Sequence, residues 1–137
     1  GMTGHQQNPT TGYNIKGDPA GKIDLESLCR AMGIRRVTVV DPYDLDACDR
    51  AVKEELAATE PSVIISRRPC ALLKYVKHKP ALVVDQDKCV GCRACMKLGC
   101  PAISIRGKKA MIDATQCVGC GVCSKLCRPG ALGEVTK

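Results

Sequence analysis

Apolar positions along the chain follow no single period. Through residues 1–22 they follow none, because Gly4, Asn8, Pro9, Gly12, Gly17, Pro19 and Gly21 interrupt every short run; this stretch is expected to be a flexible loop. Gly1, ahead of Met2, reads as the remnant of an expression tag. From Ile23 a helical spacing begins. Asp24 is expected to cap a helix with the stripe Leu25, Leu28, Cys29 and Met32, and Gly33 stands where a left-handed C-terminal residue is wanted. The β-branched run from Val37 to Val40 predicts a buried strand, closed by Asp41-Pro42. Asp44 then caps a second helix with Leu45, Cys48, Val52 and Leu56 on one face. Thr59-Glu60-Pro61 breaks it, and Val63 to Ile65 is a second short strand.

Strand, helix and strand with tight connections form a right-handed βαβ unit, which normally belongs to a parallel sheet covered on both faces. Two strands cannot complete such a sheet. Residues 23–80 are therefore expected to be an α/β fragment with a linker, the edge of a larger domain.

From residue 81 the chain repeats itself at an offset of 28 residues. Val84-Asp85 corresponds to Ile112-Asp113, Cys89-Val90-Gly91-Cys92 to Cys117-Val118-Gly119-Cys120, Cys95 to Cys123, and Lys97-Leu98 to Lys125-Leu126. Such a repeat predicts two related halves about a pseudo-twofold axis. Between them, the stretch from Ile103 to Ile112 predicts a hairpin whose loop is the four residues Arg106, Gly107, Lys108 and Lys109.

Composition explains what this pattern leaves open. In 137 residues there are eleven Cys, three Tyr and no Phe or Trp, so large aromatic core fillers are nearly absent and metal or disulfides must stand in for them. Nothing resembling a secretory leader or an eighteen-residue apolar span is found, so a reducing cytoplasm and no membrane association are expected. In that compartment closely spaced cysteines point to metal ligands, and an odd count argues against a fully paired disulfide framework. The formal charge of +7 falls to about +3 if two four-thiolate clusters form, and no aromatic platform interleaves the basic pairs; nucleic-acid binding is not expected.

The cysteine runs carry the chemistry. One is Cys89-x2-Cys92-x2-Cys95-x4-Cys100-Pro101; the other is Cys117-x2-Cys120-x2-Cys123-x3-Cys127, with Pro129 two places on. Three thiolates at this spacing can wrap three corners of an iron–sulfur cubane, with Gly91, Gly119 and Gly121 in the tight turns between them. The spacing resembles that of two-cluster bacterial ferredoxins, in which the fourth cysteine of each run ligates the other cluster. It implies two [4Fe-4S] clusters, one on Cys89, Cys92, Cys95 and Cys127, the second on Cys117, Cys120, Cys123 and Cys100. Structural zinc is the alternative, but it prefers paired C-x2-C motifs, and His5 and His78 lie outside both runs. The remaining Cys29 and Cys48 fall on helix stripes as small hydrophobes; Cys70 follows Arg67-Arg68-Pro69 in a basic setting, expected to be exposed, and a core or spacer role is favoured for it over a reactive one.

Residues Met2 to Pro9 with Thr11-Gly12, the Asp41-Pro42-Tyr43-Asp44 turn, Ser66-Arg67-Arg68-Pro69-Cys70 and the appended cysteine module occur in an order that resembles the 2-oxoacid:ferredoxin oxidoreductase superfamily. Within it, the likeness is to the C-terminal part of the large subunits of the indolepyruvate:ferredoxin oxidoreductases. The resemblance implies an α+β arrangement: a partial α/β segment of a thiamine-diphosphate-type domain, then a ferredoxin-like module over residues 81–137. It implies that Gly4, His5 and Gln6 line a thiamine diphosphate site, whose Mg-binding motif would lie before Met2. The activity implied for the intact enzyme is oxidative decarboxylation of aryl pyruvates to acyl-CoA with reduction of an external ferredoxin. Its partners would be the missing N-terminal part of the large subunit, a small subunit and that ferredoxin, and this chain by itself is not expected to turn over substrate. A free-standing two-cluster carrier with an accessory docking domain is the alternative.

Overall fold

A computed structural model describes residues 4, 6–73 and 76–134, which divide into two compact units, residues 1–76 and 77–137. In the first unit α1 (Leu25–Ala31) starts at Asp24, whose carboxylate accepts from the Glu26 N–H at 3.1 Å. It ends in a left-handed Gly33, φ +89°, with the Gly33 and Ile34 N–H groups donating to the Arg30 and Cys29 carbonyls. These two bonds make a Schellman cap, as the glycine's position predicts. Strands β1 (Arg36–Val40) and β2 (Ser62–Ser66) pair in parallel, Arg36 opposite Ser62 through Val40 opposite Ser66, and α2 (Leu45–Leu56) connects them. The segment ahead of α1 is irregular but ordered by its side chains: Asn8 Oδ1 accepts from the Thr10 N–H, and Asn14 Oδ1 accepts from those of Lys16 and Asp18.

The face that α2 turns to the sheet differs from the stripe read off its sequence. Ala51 is the buried residue, while Val52 is exposed and Leu56 is 82% exposed. Glu55 decides the rotation. Its side chain is only 8% exposed and bonds Arg36 at 2.8 Å and Thr38 at 3.2 Å, both on β1. An ion pair with a shared hydroxyl satisfies the carboxylate over the sheet. On α1 no residue is buried; Leu25 and Leu28 are exposed, as is Met32 at its C-terminal cap.

The second unit is built from β3 (Val83–Val84), a 3-10 turn (Ala94–Leu98), β4 (Ile103–Arg106), β5 (Lys109–Ile112), α3 (Val122–Leu126) and β6 (Leu132–Gly133). Its pairings interlock the repeats: β3 runs antiparallel to β6, and β4 to β5, so the strand entering each cysteine loop pairs with the strand leaving the other. Matching bonds hold the junctions. The Asp85 N–H donates to the Ala131 carbonyl and the Asp113 N–H to that of Ala102, both at 2.8 Å; the Cys89 and Cys117 N–H groups return to Asp85 and Asp113, both at 3.0 Å. The core has the same symmetry, with Ala102 and Ala131 2% and 3% exposed, and Ile103, Leu132, Cys95 and Cys123 buried in equivalent places.

One departure separates the halves, and another separates the hairpin from its expected form. The extra residue in the first run is absorbed by Gly99, φ +63°, which ends the 3-10 turn before Cys100, whereas α3 runs directly into Cys127. The hairpin loop is two residues, not four, because Arg106 pairs with Lys109 and the turn is made by Gly107 and Lys108, both at positive φ. Among the described residues no helix is long and apolar enough to cross a membrane.

Candidate metal centres

Each cysteine loop opens on an aspartate turn. Asp85 accepts from the Asp87 and Lys88 N–H groups, and Asp113 from the Thr115 N–H and hydroxyl, so both carboxyls lie below the usual range. The turns deliver Cys89 and Cys117 to the interior edge of the unit. Backbone N–H groups of Ala110 and Gly91 point at the Cys89 sulfur and lower its pKa, with Lys109 adding to the effect. The Ala131 N–H reaches Cys127 Sγ at 3.3 Å.

The thiols gather into two sets of four, each drawn from both halves. Burial pushes the Cys95 thiol up, and the thiols that add to the shift are Cys127, Cys92 and Cys89. Burial pushes Cys123 up to about 11, and its crowding neighbours are Cys120, Cys117 and Cys100. The first set lines one cavity together with Val84, Ile105, Ala110 and Leu132. Four thiolates cannot be held together in apolar surroundings without compensating positive charge, so the donor set fits a cationic centre. Among the described residues no three His, Cys, Asp or Glu converge on a single ion.

Two glycines make the loops possible. A Cβ on Gly91, φ +69°, would lie 2.4 Å from the Lys108 carbonyl oxygen, and one on Gly119, φ +63°, 2.5 Å from that of Pro80. In the repeat Lys108 is the counterpart of Pro80, so each loop rests on the other half in the same way.

In the first unit the structure joins two of the segments that carry the family resemblance. Arg68 pairs with Asp41 and lies over the Tyr43 ring, 4.0 Å from its centroid. Gly4 has φ +72° and approaches the Cys70 sulfur, while Gln6 is exposed; His5 lies outside the described residues. Cys70 is half-buried rather than exposed, as are Cys29 and Cys48, and the Cys48 thiol donates to the Asp41 carbonyl at 3.4 Å. Sequence reasoning passed over Glu55, whose signal would have been an acid on the predicted apolar flank of α2, and the left-handed residues Arg93 and Lys108.

Comparison with known proteins gives each unit a likeness: residues 81–128 match the 4Fe-4S dicluster domain, and residues 1–66 match the C-terminal TPP-binding domain of thiamine pyrophosphate enzymes. Among named proteins the chain is similar to indolepyruvate oxidoreductase subunits IorA. It is 41% identical to that of Pyrococcus horikoshii over 98% of this chain and 22% of the relative. Identity is 42% to that of Thermococcus kodakarensis, over 74% of this chain and 17% of the relative. For Methanothermobacter thermautotrophicus it is 35%, over 96% and 21%. The chain thus spans about a fifth of the length of the curated relatives it matches. No solved structure matches it.

Proposed function

We propose that this chain is the iron–sulfur electron-transfer part of an indolepyruvate:ferredoxin oxidoreductase, with Cys89, Cys92, Cys95 and Cys127 holding one [4Fe-4S] cluster and Cys117, Cys120, Cys123 and Cys100 the other. The observation that carries it is the sorting of eight thiols into two sets, each taking its fourth member from the opposite half. When bound, the clusters accept and release single electrons. The chain's own residues do the rest. Backbone N–H groups from Gly91, Ala110 and Ala131 aim at the sulfurs and stabilise negative charge there. Ile103, Leu132, Ala102 and Ala131 keep water from the inner side of the sites.

In this reading the first unit is an edge of a thiamine-diphosphate-type α/β domain. Gly4, His5 and Gln6 approach the cofactor and its Mg only when the rest of the large subunit is present. The exposed Leu25 and Leu28 of α1, Met32 at its C-terminal cap and Leu56 of α2 favour it over a free-standing carrier, since they suit burial against further structure. The complete cytoplasmic enzyme, with its small subunit, would decarboxylate aryl pyruvates oxidatively to acyl-CoA and reduce an external ferredoxin. Anaerobic iron, sulfide and zinc analysis with a visible spectrum tests the core of the proposal. About eight irons and eight sulfides per chain, with brown absorption bleached by dithionite, is the expected result. Zinc without colour would overturn it.

A further inference from the structure

Because the two cysteine loops are related residue by residue, each side chain on one has a counterpart on the other, and the charge differs sharply between them. Lys88 stands where the second half has Gln116, and Arg93 where it has Gly121; Lys108 and Lys109 stand where the first half has Pro80 and Ala81. All four cations fall beside the Cys89–Cys92 loop; the counterpart loop has one of its own that the first lacks, Lys79, which lies against Gly119 and corresponds to Gly107, so the excess at the first loop is three charges. Lys88 is 3.3 Å from Asp85, and the Lys109 ammonium donates to the Gln86 carbonyl. Arg93 and Lys108 are exposed and, among the described residues, make no ion pair.

Those same two are the non-glycine residues held at positive φ among the described residues, +61° and +74°. Arg93 occupies the left-handed position that Gly121, φ +78°, fills without strain in the other half. A cation kept where glycine is the relaxed choice points to use of its charge, since the fold gains nothing from it. Between the two cations the loop tip is open: Val90 is 71% exposed and Cys92 exposed, whereas Val118 and Cys120 are half-buried. An apolar tip above a thiol set, flanked by unpaired cations, complements a partner with an apolar redox edge inside an anionic rim.

We infer that the Cys89–Cys92 loop, with Arg93 and Lys108, is the docking face for a small acidic redox protein, and that electrons leave through the first cluster. This rests on the cluster ligation proposed above. In each transfer one electron passes from the reduced first cluster, which returns to its oxidised state, to the acceptor's centre; no bond or proton is exchanged.

The test uses the full, cluster-loaded chain, oxidised and anaerobic, titrated calorimetrically with oxidised flavodoxin as the acidic probe. Binding is expected to weaken about tenfold or more as NaCl rises from about 25 to about 250 mM. Arg93→Gly and Lys108→Gly are each expected to weaken it about three- to tenfold at low salt without lowering the thermal midpoint, since glycine suits both backbones. Lys16→Gln in the first unit, an equal charge change, should have little effect. Equal weakening by Lys16→Gln, no response to Arg93→Gly and Lys108→Gly, or no binding by an iron-replete chain would overturn the docking face alone. So would sedimentation showing a dimer that dissociates on Arg93→Gly, which would assign the face to a second copy. A chain that cannot be loaded with iron would instead sink the ligation on which the inference rests.

Discussion

Gly91 lies against the backbone of Lys108 so closely that any side chain on it would strike the Lys108 carbonyl oxygen, and Gly119 stands in the same relation to Pro80. Both glycines also have positive φ, so an alanine meets strain and a backbone clash together. Gly91→Ala is expected to cost the first cluster, leaving about four of about eight irons, and Gly119→Ala the second. Iron and sulfide analysis of each variant checks this; full loading of either would show that the loops tolerate displacement.

Paired cysteine variants report which thiols share a centre. With Cys92→Ser and Cys127→Ser together, one cluster is disrupted and about four irons should remain; with Cys92→Ser and Cys100→Ser together, both are disrupted and almost none should. The reverse pattern would mean that each run holds its own cluster.

Loss of iron should unfold the second unit, because cysteines make up much of its core: Cys95 and Cys123 are buried in it, and Cys89, Cys100, Cys117 and Cys127 pack against it. Chelation under anaerobic conditions is expected to remove this unit's circular-dichroism signal, and an unchanged spectrum would contradict that.

The core symmetry gives a packing prediction. Ile103 and Leu132 occupy equivalent buried places, so Ile103→Ala and Leu132→Ala should destabilise the loaded chain by similar amounts, about 2–5 kcal/mol each, read from denaturant midpoints. A large cost at one site and none at the other would show that the halves do not share the load.

In the first unit, hydrogen bonding to Arg36 holds the Glu55 carboxyl below its ordinary value. A depressed carboxyl contributes stability that is present above its unfolded pKa, about 4.3, and lost as pH falls through its folded pKa. Glu55→Gln should therefore lower the urea midpoint at pH 7 and converge with the unsubstituted chain in acid. A constant difference across that range would assign the effect to packing instead of charge.

Features fixed by nearest neighbours are legible in the amino-acid sequence alone. Asp24 and Asp44 cap because a short acceptor precedes a helical run, Gly33 ends α1 because only a left-handed residue closes that turn, and the repeat marks the two thiol runs by their spacing. What tertiary structure decided involves partners distant in sequence. Two overlapping stripes on α2 are compatible with a helix. Arg36 and Thr38, 19 and 17 residues from Glu55, select the one that buries Ala51 and leaves Leu56 in solvent. Likewise, the repeat makes the cysteine loops equivalent, but only the folded chain gathers Arg93 and Lys108 at one of them. Local chemistry sets which turns and ligands exist; long-range packing sets which face is covered and where charge collects.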